Sequence, residues 1–323
     1  MISTEKTLKA RLLLPCLIVA ILLTGCNTLP AESEKHAEYS SLGDPQAALS
    51  YSTAFPIASA QEAVLRGDAA VTKGDLDRAL FEYIRALEKE GADPEILYKV
   101  GRVHLARGDT RRAEVAFFLV LKEMPDHAGG LTEVGIIRMR HRDHQSAKSF
   151  LSRALQITPD SSRIFNALGV LEDMQKKHPQ AQNNYASAIA LDGRIPLYLN
   201  NLGYSHYQMG DLINAENAFV DALRLDPGYE RAWRNLALVY AKSRRYSEAL
   251  QAFGKTEQEH QAYNDVGYVA MVTGRYADAQ RFFEEAIRLS PMYYELAESN
   301  ARRLVVLQQT APAATEQSIE TGG

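Results

Sequence analysis

The chain has 323 residues, a formal charge of −4 and two cysteines, Cys16 and Cys26. A mildly acidic balance offers no basic field to hold nucleic acid, and so few cysteines exclude a disulfide framework and a thiolate metal site. The length and an apolar share of 46% suffice for a sizeable continuous core.

In chain order, Lys6, Lys9 and Arg11 form a positive lead, Leu12 to Leu23 is almost wholly apolar, and Leu23-Thr24-Gly25-Cys26 closes the run. This is the layout of a secretory signal peptide over residues 1–25. The apolar stretch of about a dozen residues falls short of the roughly 20 that a spanning helix needs. The LTGC ending resembles a bacterial lipobox. The resemblance implies that Cys26 carries a covalent lipid on sulfur, that the chain is cut before it, and that Cys26 becomes the N-terminus. The alternative is an uncleaved membrane anchor. Cleavage removes three basic residues and one acidic residue, moving the formal charge from −4 to −6. Asn27, where an aspartate retains such proteins in the inner membrane of enteric-type bacteria, implies an anchor in the outer membrane facing the periplasm. Residues 26–59, rich in Ser, Ala, Glu and Pro, read as a disordered tether, which as a random coil spans about 30 Å. Residues 309–323 read as a disordered tail.

Between them a period of 34 residues appears. Gly101, Ala113, Phe117 and Pro125 match Gly203, Ala215, Phe219 and Pro227 three periods on. Units start at Ala60, Pro94, Ala128, Ser162, Pro196, Glu230 and His260. Position 20 is alanine in all seven, from Ala79 to Ala279. Position 8 is glycine in six, from Gly67 to Gly267, with Ala237 the exception. Position 24 is Tyr83, Phe117, Leu151, Tyr185, Phe219, Phe253 and Phe283, and four units close on a proline. Small residues at 8 and 20 let two helices approach, the large residue at 24 fills the space beside them, and the proline ends the second helix. One pair cannot bury its apolar face alone, so neighbours must stack.

This pattern over residues 60–293 resembles the tetratricopeptide repeat (TPR). The resemblance implies an all-α fold, a helix-turn-helix solenoid coiled as a right-handed superhelix of about seven repeats. Residues 294–308 are expected to cap the last open face. The unit from Glu230 spans only 30 residues, which predicts a shortened second helix and an altered stacking angle.

Catalytic patterns are absent from the sequence: no phosphate loop follows a strand, and neither G-x-S-x-G nor H-E-x-x-H occurs. His141 and His144 straddle a predicted turn beside Arg140 and Arg142, a poor setting for a metal ion. An enzyme is not expected, nor any cofactor beyond the lipid on Cys26. In the resembling family the first helix of each unit lines a binding groove. Carried onto this chain, that places Asn166, Asn200 and Asn264 at one level of the inner wall. Tyr204, Tyr207 and Tyr268 stand near them, with Arg163, Arg231 and Arg234 adding positive charge. An amide pairs with the backbone of an extended peptide, tyrosines supply amphipathic contact area, and arginines fit an acidic or carboxylate end. Two uses stay open for the three asparagines: contact with a peptide, or bonds to neighbouring helices. Asn201 and Asn235 are read as the latter, and Trp233 as core.

A lipobox, a tether and a long repeat array together resemble the tight-adherence (Flp) pilus assembly lipoproteins of the TadD type and the PilF/PilW pilotins. That resemblance implies a pilus or secretion-system assembly factor whose protein client is a secretin or pilus component. The second expectation is an envelope adaptor recruiting periplasmic hydrolases or proteases.

Overall fold

A computed structural model of the chain describes residues 57–310 together with Tyr39, Leu42 and Gly43. Residues 1–25, Cys26, most of the 26–59 segment and residues 311–323 lie outside the described residues. The described part holds fifteen helices and no strand. They fall into pairs: α1 (Ala60–Thr72) with α2 (Leu76–Glu90), α3 (Pro94–Ala106) with α4 (Thr110–Glu123), α5 (Ala128–Arg140) with α6 (His144–Ile157), and α7 (Ser162–Met174) with α8 (His178–Leu191). There follow α9 (Pro196–Met209) with α10 (Leu212–Leu225), α11 (Glu230–Lys242) with α12 (Tyr246–Phe253), and α13 (Glu259–Val272) with α14 (Tyr276–Leu289). The last helix, α15, spans Glu295–Thr310, so Gln309 and Thr310, assigned to the tail by composition, are helical. Neighbouring helices pack in chain order, and most long-range packing joins consecutive elements.

Local chemistry sets these boundaries. Asp75, Asp109, Asp143 and Asp211 each accept a bond from the backbone N–H three residues on, at 3.0–3.2 Å. Each satisfies a donor that the start of a second helix leaves open. The residue before each cap turns the chain with positive φ. It is glycine at 74, 108, 210 and 274, but Arg142, Lys176 and Arg244 hold φ of 60–64° at the same place. At the far end, Met124, Thr158 and Asp226 precede proline and take extended backbone, φ −129 to −139°. The proline ring excludes the helical region for the residue before it, so each second helix stops there.

The core follows the repeat. All seven alanines at position 20 are fully buried. At the six glycines of position 8 a methyl group has no room. A Cβ on Gly169 would stand 2.5 Å from the Tyr185 ring, and one on Gly203 2.8 Å from the Phe219 ring. Phe117, Phe219 and Phe283 are wholly buried, each contributing about 1.5–3 kcal/mol by leaving water.

In the sixth pair α12 has 8 residues where the other second helices have 14 or 15. It stops at Phe253, the aromatic of its own unit. Its N-cap position is Arg245 rather than aspartate, and the seventh pair carries Arg275 there. Neither caps its own helix. Arg275 donates to the Ala241 and Lys242 carbonyls at the end of α11, at 3.2 and 2.8 Å, where a cation meets the negative pole of the helix. Arg245 reaches Glu216 on α10 at 2.6 Å and Glu248 on its own helix. The two arginines thus exchange a local cap for a tie between pairs.

The 26–59 segment departs from its expected lack of structure at two residues. Tyr39 and Leu42 are buried within the core of the first two pairs. At its end, Ser59 caps α1, and Lys89 holds the Ile57 and Ala58 carbonyls at 3.2 and 2.9 Å.

Candidate functional site

Two adjoining clefts, of about 680 Å³ and 420 Å³, run along one side of the array and share Asn201 and Arg231. The larger draws its walls from α3, α5, α7, α9 and α11, the smaller from α9, α11, α12 and α13. Almost every lining side chain therefore stands on the first helix of a pair. The repeat dictates this: second helices spend their small and aromatic positions on the core, leaving the opposite wall to the first helices.

Of the expected groove residues, Asn166, Arg163 and Arg231 line the larger cleft, and Asn200, Tyr204, Arg231 and Arg234 the smaller. Tyr207 is half-buried beneath Tyr204, ring centres 6.2 Å apart, with the Lys242 ammonium 4.7 Å from its ring centre. Tyr268 is 41% exposed and lines neither cleft. Asn264 also lines neither, and is 2% exposed.

The asparagines form a ladder between units. Asn201 donates to Asn166 at 2.8 Å, Asn235 to Asn200 at 2.9 Å, and Asn300 to Asn264 at 2.9 Å. Asn264 in turn donates to Asp265 at 3.0 Å. Asn201 and Asn235 bond neighbouring helices, and Asn166, Asn200 and Asn264 serve as the acceptors of Asn201, Asn235 and Asn300. Asn264 is consumed on both ends of its amide. Asn166 and Asn200 keep their amide N–H groups beside the clefts.

Charge is distributed unevenly. Glu133 on α5 is 1% exposed and accepts from Arg163 at 2.8 Å and Arg102 at 3.3 Å. Arg163 is thus committed to an ion pair inside the larger cleft, while the single carboxylate faces two arginines and the exposed Arg140 lines the same cleft. At the other end Arg231 and Arg234 are exposed. Asp265 lines the same cleft. Burial raises its carboxyl above the usual range, against the pull of Asn264 and Arg234. Glu257, in the short loop after α12, is pushed up to about 7, first by burial and then by Asp265, with Arg234 opposing. One of its carboxylate oxygens is buried without a hydrogen-bond partner. Register reasoning passed over Glu133 and Asp265. Both stand at position 6, where Asn201 and Asn235 sit in other units. A carboxylate at the place of a laddering amide was the available signal.

Asp173 ties three helices: it accepts from His178 at 2.8 Å, Ser205 at 2.8 Å and Tyr185 at 3.0 Å. His141 ends α5 and His144 begins α6, with the positive-φ Arg142 between them. Among the described residues no three His, Cys, Asp or Glu side chains gather as metal ligands. None of their helices is long and apolar enough to cross a membrane.

Stacked helix pairs with a cleft along the first helices define an interaction scaffold of the α-solenoid class, a fold that is typically non-catalytic. The chain belongs to the tetratricopeptide repeat family, whose patterns match residues 64–129, 200–265 and 260–297, about half of the chain. No curated protein sequence matches it. Among solved structures it is similar to a tetratricopeptide repeat protein from Parabacteroides merdae, at 15% identity and a TM-score of 0.54, over 76% of this chain and 98% of that one. The APC/C hetero-tetramer Cut9–Hcn1 gives 18% identity and a TM-score of 0.59, over 76% of this chain and 49% of that one. PilF of Pseudomonas aeruginosa gives 22% and 0.51, over 65% of this chain and 97% of that one. At these identities the likeness speaks for the fold.

Proposed function

We propose that the chain is an outer-membrane lipoprotein, anchored through Cys26 and facing the periplasm, whose array captures an extended protein segment and serves the assembly of a pilus or secretion system. The observation that carries the binding role is the pair of adjoining clefts. Their free amide N–H groups at Asn166 and Asn200, the Tyr204 ring and the exposed Arg231 and Arg234 suit an extended chain with an acidic end. The lipobox-like LTGC supports the anchor, and the fold shared with PilF agrees with a pilotin-like task. The mechanism needs no catalysis: the lipid localises the array near its client, so effective concentration replaces high affinity.

The test is recovery of partners from detergent-solubilised envelope by the full-length protein, with the gene deletion beside it. Recovery of a secretin, and loss of secretin multimers in the deletion, is the expected result. Recovery of murein hydrolases or proteases without a secretin replaces assembly by an adaptor role. Cys26→Ser should leave the precursor uncleaved and unlipidated; normal processing and membrane fractionation of that variant would remove the anchor from the reading.

A further inference from the structure

Two apolar side chains far ahead of the array are buried in it. Tyr39 is 3% and Leu42 1% exposed, and both belong to the core around the first two pairs, with Leu97, Val100 and Val103 of α3. The Leu42 amide donates to the Tyr39 carbonyl at 3.0 Å. That bond brings the two residues together, and both side chains lie in one seat.

On the array side the contact is closed by His104 of α3. It is fully buried, and its Nε2 lies 2.9 Å from the Leu42 carbonyl oxygen. A carbonyl only accepts, so Nε2 carries the proton and donates. Nδ1 is buried without a partner. Equivalent positions in other units spend their polar groups inside the array: Arg138 on Glu114, Glu172 on Lys148, His206 on Asp211. His104 bonds backbone from outside it.

We propose that the Tyr39–Leu42 turn is a latch, and that the seat on the first two helix pairs is a docking site for this segment of the chain itself. The N-terminal segment is then held at α3, about twenty residues ahead of the first helix, and the apolar seat is covered. Any partner able to displace the latch must offer the same chemistry, an aromatic and a leucine on one side of a turn with a free carbonyl. The latch is independent of the groove reading.

Acid should open it. Protonating His104 places a second N–H at Nδ1, where no acceptor lies. Burial opposes that charge most; the Leu42 carbonyl and then Asp109 favour it, and Arg107 and Arg112 oppose it. The turn itself brings one titratable group, the Tyr39 phenol. The net direction is below the ordinary 6.5, so the latched state binds fewer protons than the open one. Closure is complete above about pH 6.5 and weakens as the pH falls below it.

The experiment is hydrogen exchange read by mass spectrometry on the full chain. At about pH 7.5 the 36–46 segment should exchange at least about tenfold more slowly than an unfolded chain. Leu42→Asp should abolish that protection and speed exchange around His104 in α3, with helix content unchanged. A synthetic peptide of residues 36–46, added in excess to the Leu42→Asp protein, should restore protection in α3. His104→Gln keeps an N–H donor that cannot ionise, so it should hold the latch at about pH 5.5, where the parent loses it. Unfolded-rate exchange of 36–46 in the parent, unchanged α3 in Leu42→Asp, or no rescue by the peptide would each overturn the docking site. Equal protection of the parent at both pH values would remove His104 as the latch.

Discussion

A side-chain amide has a donating end and an accepting end, and an array of stacked helices can use either to join one unit to the next. At Asn264 both are spent, on Asn300 and Asp265, in a site closed to water. Asn264→Ala should therefore destabilise the C-terminal units rather than weaken client binding alone. The stranded Asn300 amide costs about 1–3 kcal/mol, readable as a lower denaturant midpoint. Asn166, half-buried with its N–H end beside a cleft, is the better position at which to test the proposed binding role. A second residue-scale effect belongs to Glu257. Its native carboxyl, raised to about 7 from 4.5 by burial, binds its proton more tightly than in the unfolded chain. Stability must then fall as pH rises from about 4.5 to 7 and level off above. Glu257→Gln removes that slope: the variant should melt with the parent near pH 4 and above it at pH 8. Partial exposure screens the effect to about 1 kcal/mol, and thermal melts across the range check it.

At the scale of the element, each helix pair depends on a glycine facing a large side chain. In the fifth pair, Gly203→Ala sets a methyl group 2.8 Å from the Phe219 ring, in a core with no slack. The expected loss is about 1–3 kcal/mol, measured by denaturant melts. Adding Phe219→Leu should not recover it, because in the third unit a Cβ on Gly135 would stand equally close, 2.8 Å, to the Leu151 side chain. The unit with alanine at this place, Ala237, is also the one whose second helix ends at its aromatic, Phe253. A ring at a helix end has room to yield that a ring in mid-helix lacks. The repeat signature thus made the pairing legible. The exchange of caps for ties at Arg245 and Arg275 was not, because an arginine reaches its partners through space, 29 to 34 residues away in the chain.

Across the whole molecule, the charge of the clefts sets where the acidic client we propose would sit. Glu133 offsets one of the two arginines it meets in the middle of the array, and exposed cations stand both there, at Arg140, and at α11. Replacing Arg231 and Arg234 together by alanine should weaken client binding and flatten its dependence on salt, while the melting temperature stays within about 1 °C, since both side chains are exposed. A client whose affinity is untouched by the double change binds elsewhere. In a linear stack each unit contacts its neighbours, so damage at Asn264 should leave the first pairs folded. Hydrogen exchange unit by unit reads that difference.

What the sequence determined by itself was the periodic part: seven helix pairs, their small-on-large packing, the short sixth unit, and the wall on which clefts form. These follow from residue size and spacing, which act over one or two turns of helix and repeat without reference to the rest of the chain. Tertiary structure alone decided which polar groups remain available. Arg163 and Asn264 have the right residue types at the right register, yet one meets Glu133 and the other Asn300, at distances set by stacking. It also decided that Tyr39 and Leu42 have a seat, because an apolar pair outside any periodic pattern acquires meaning only when a buried surface elsewhere in the chain is there to receive it.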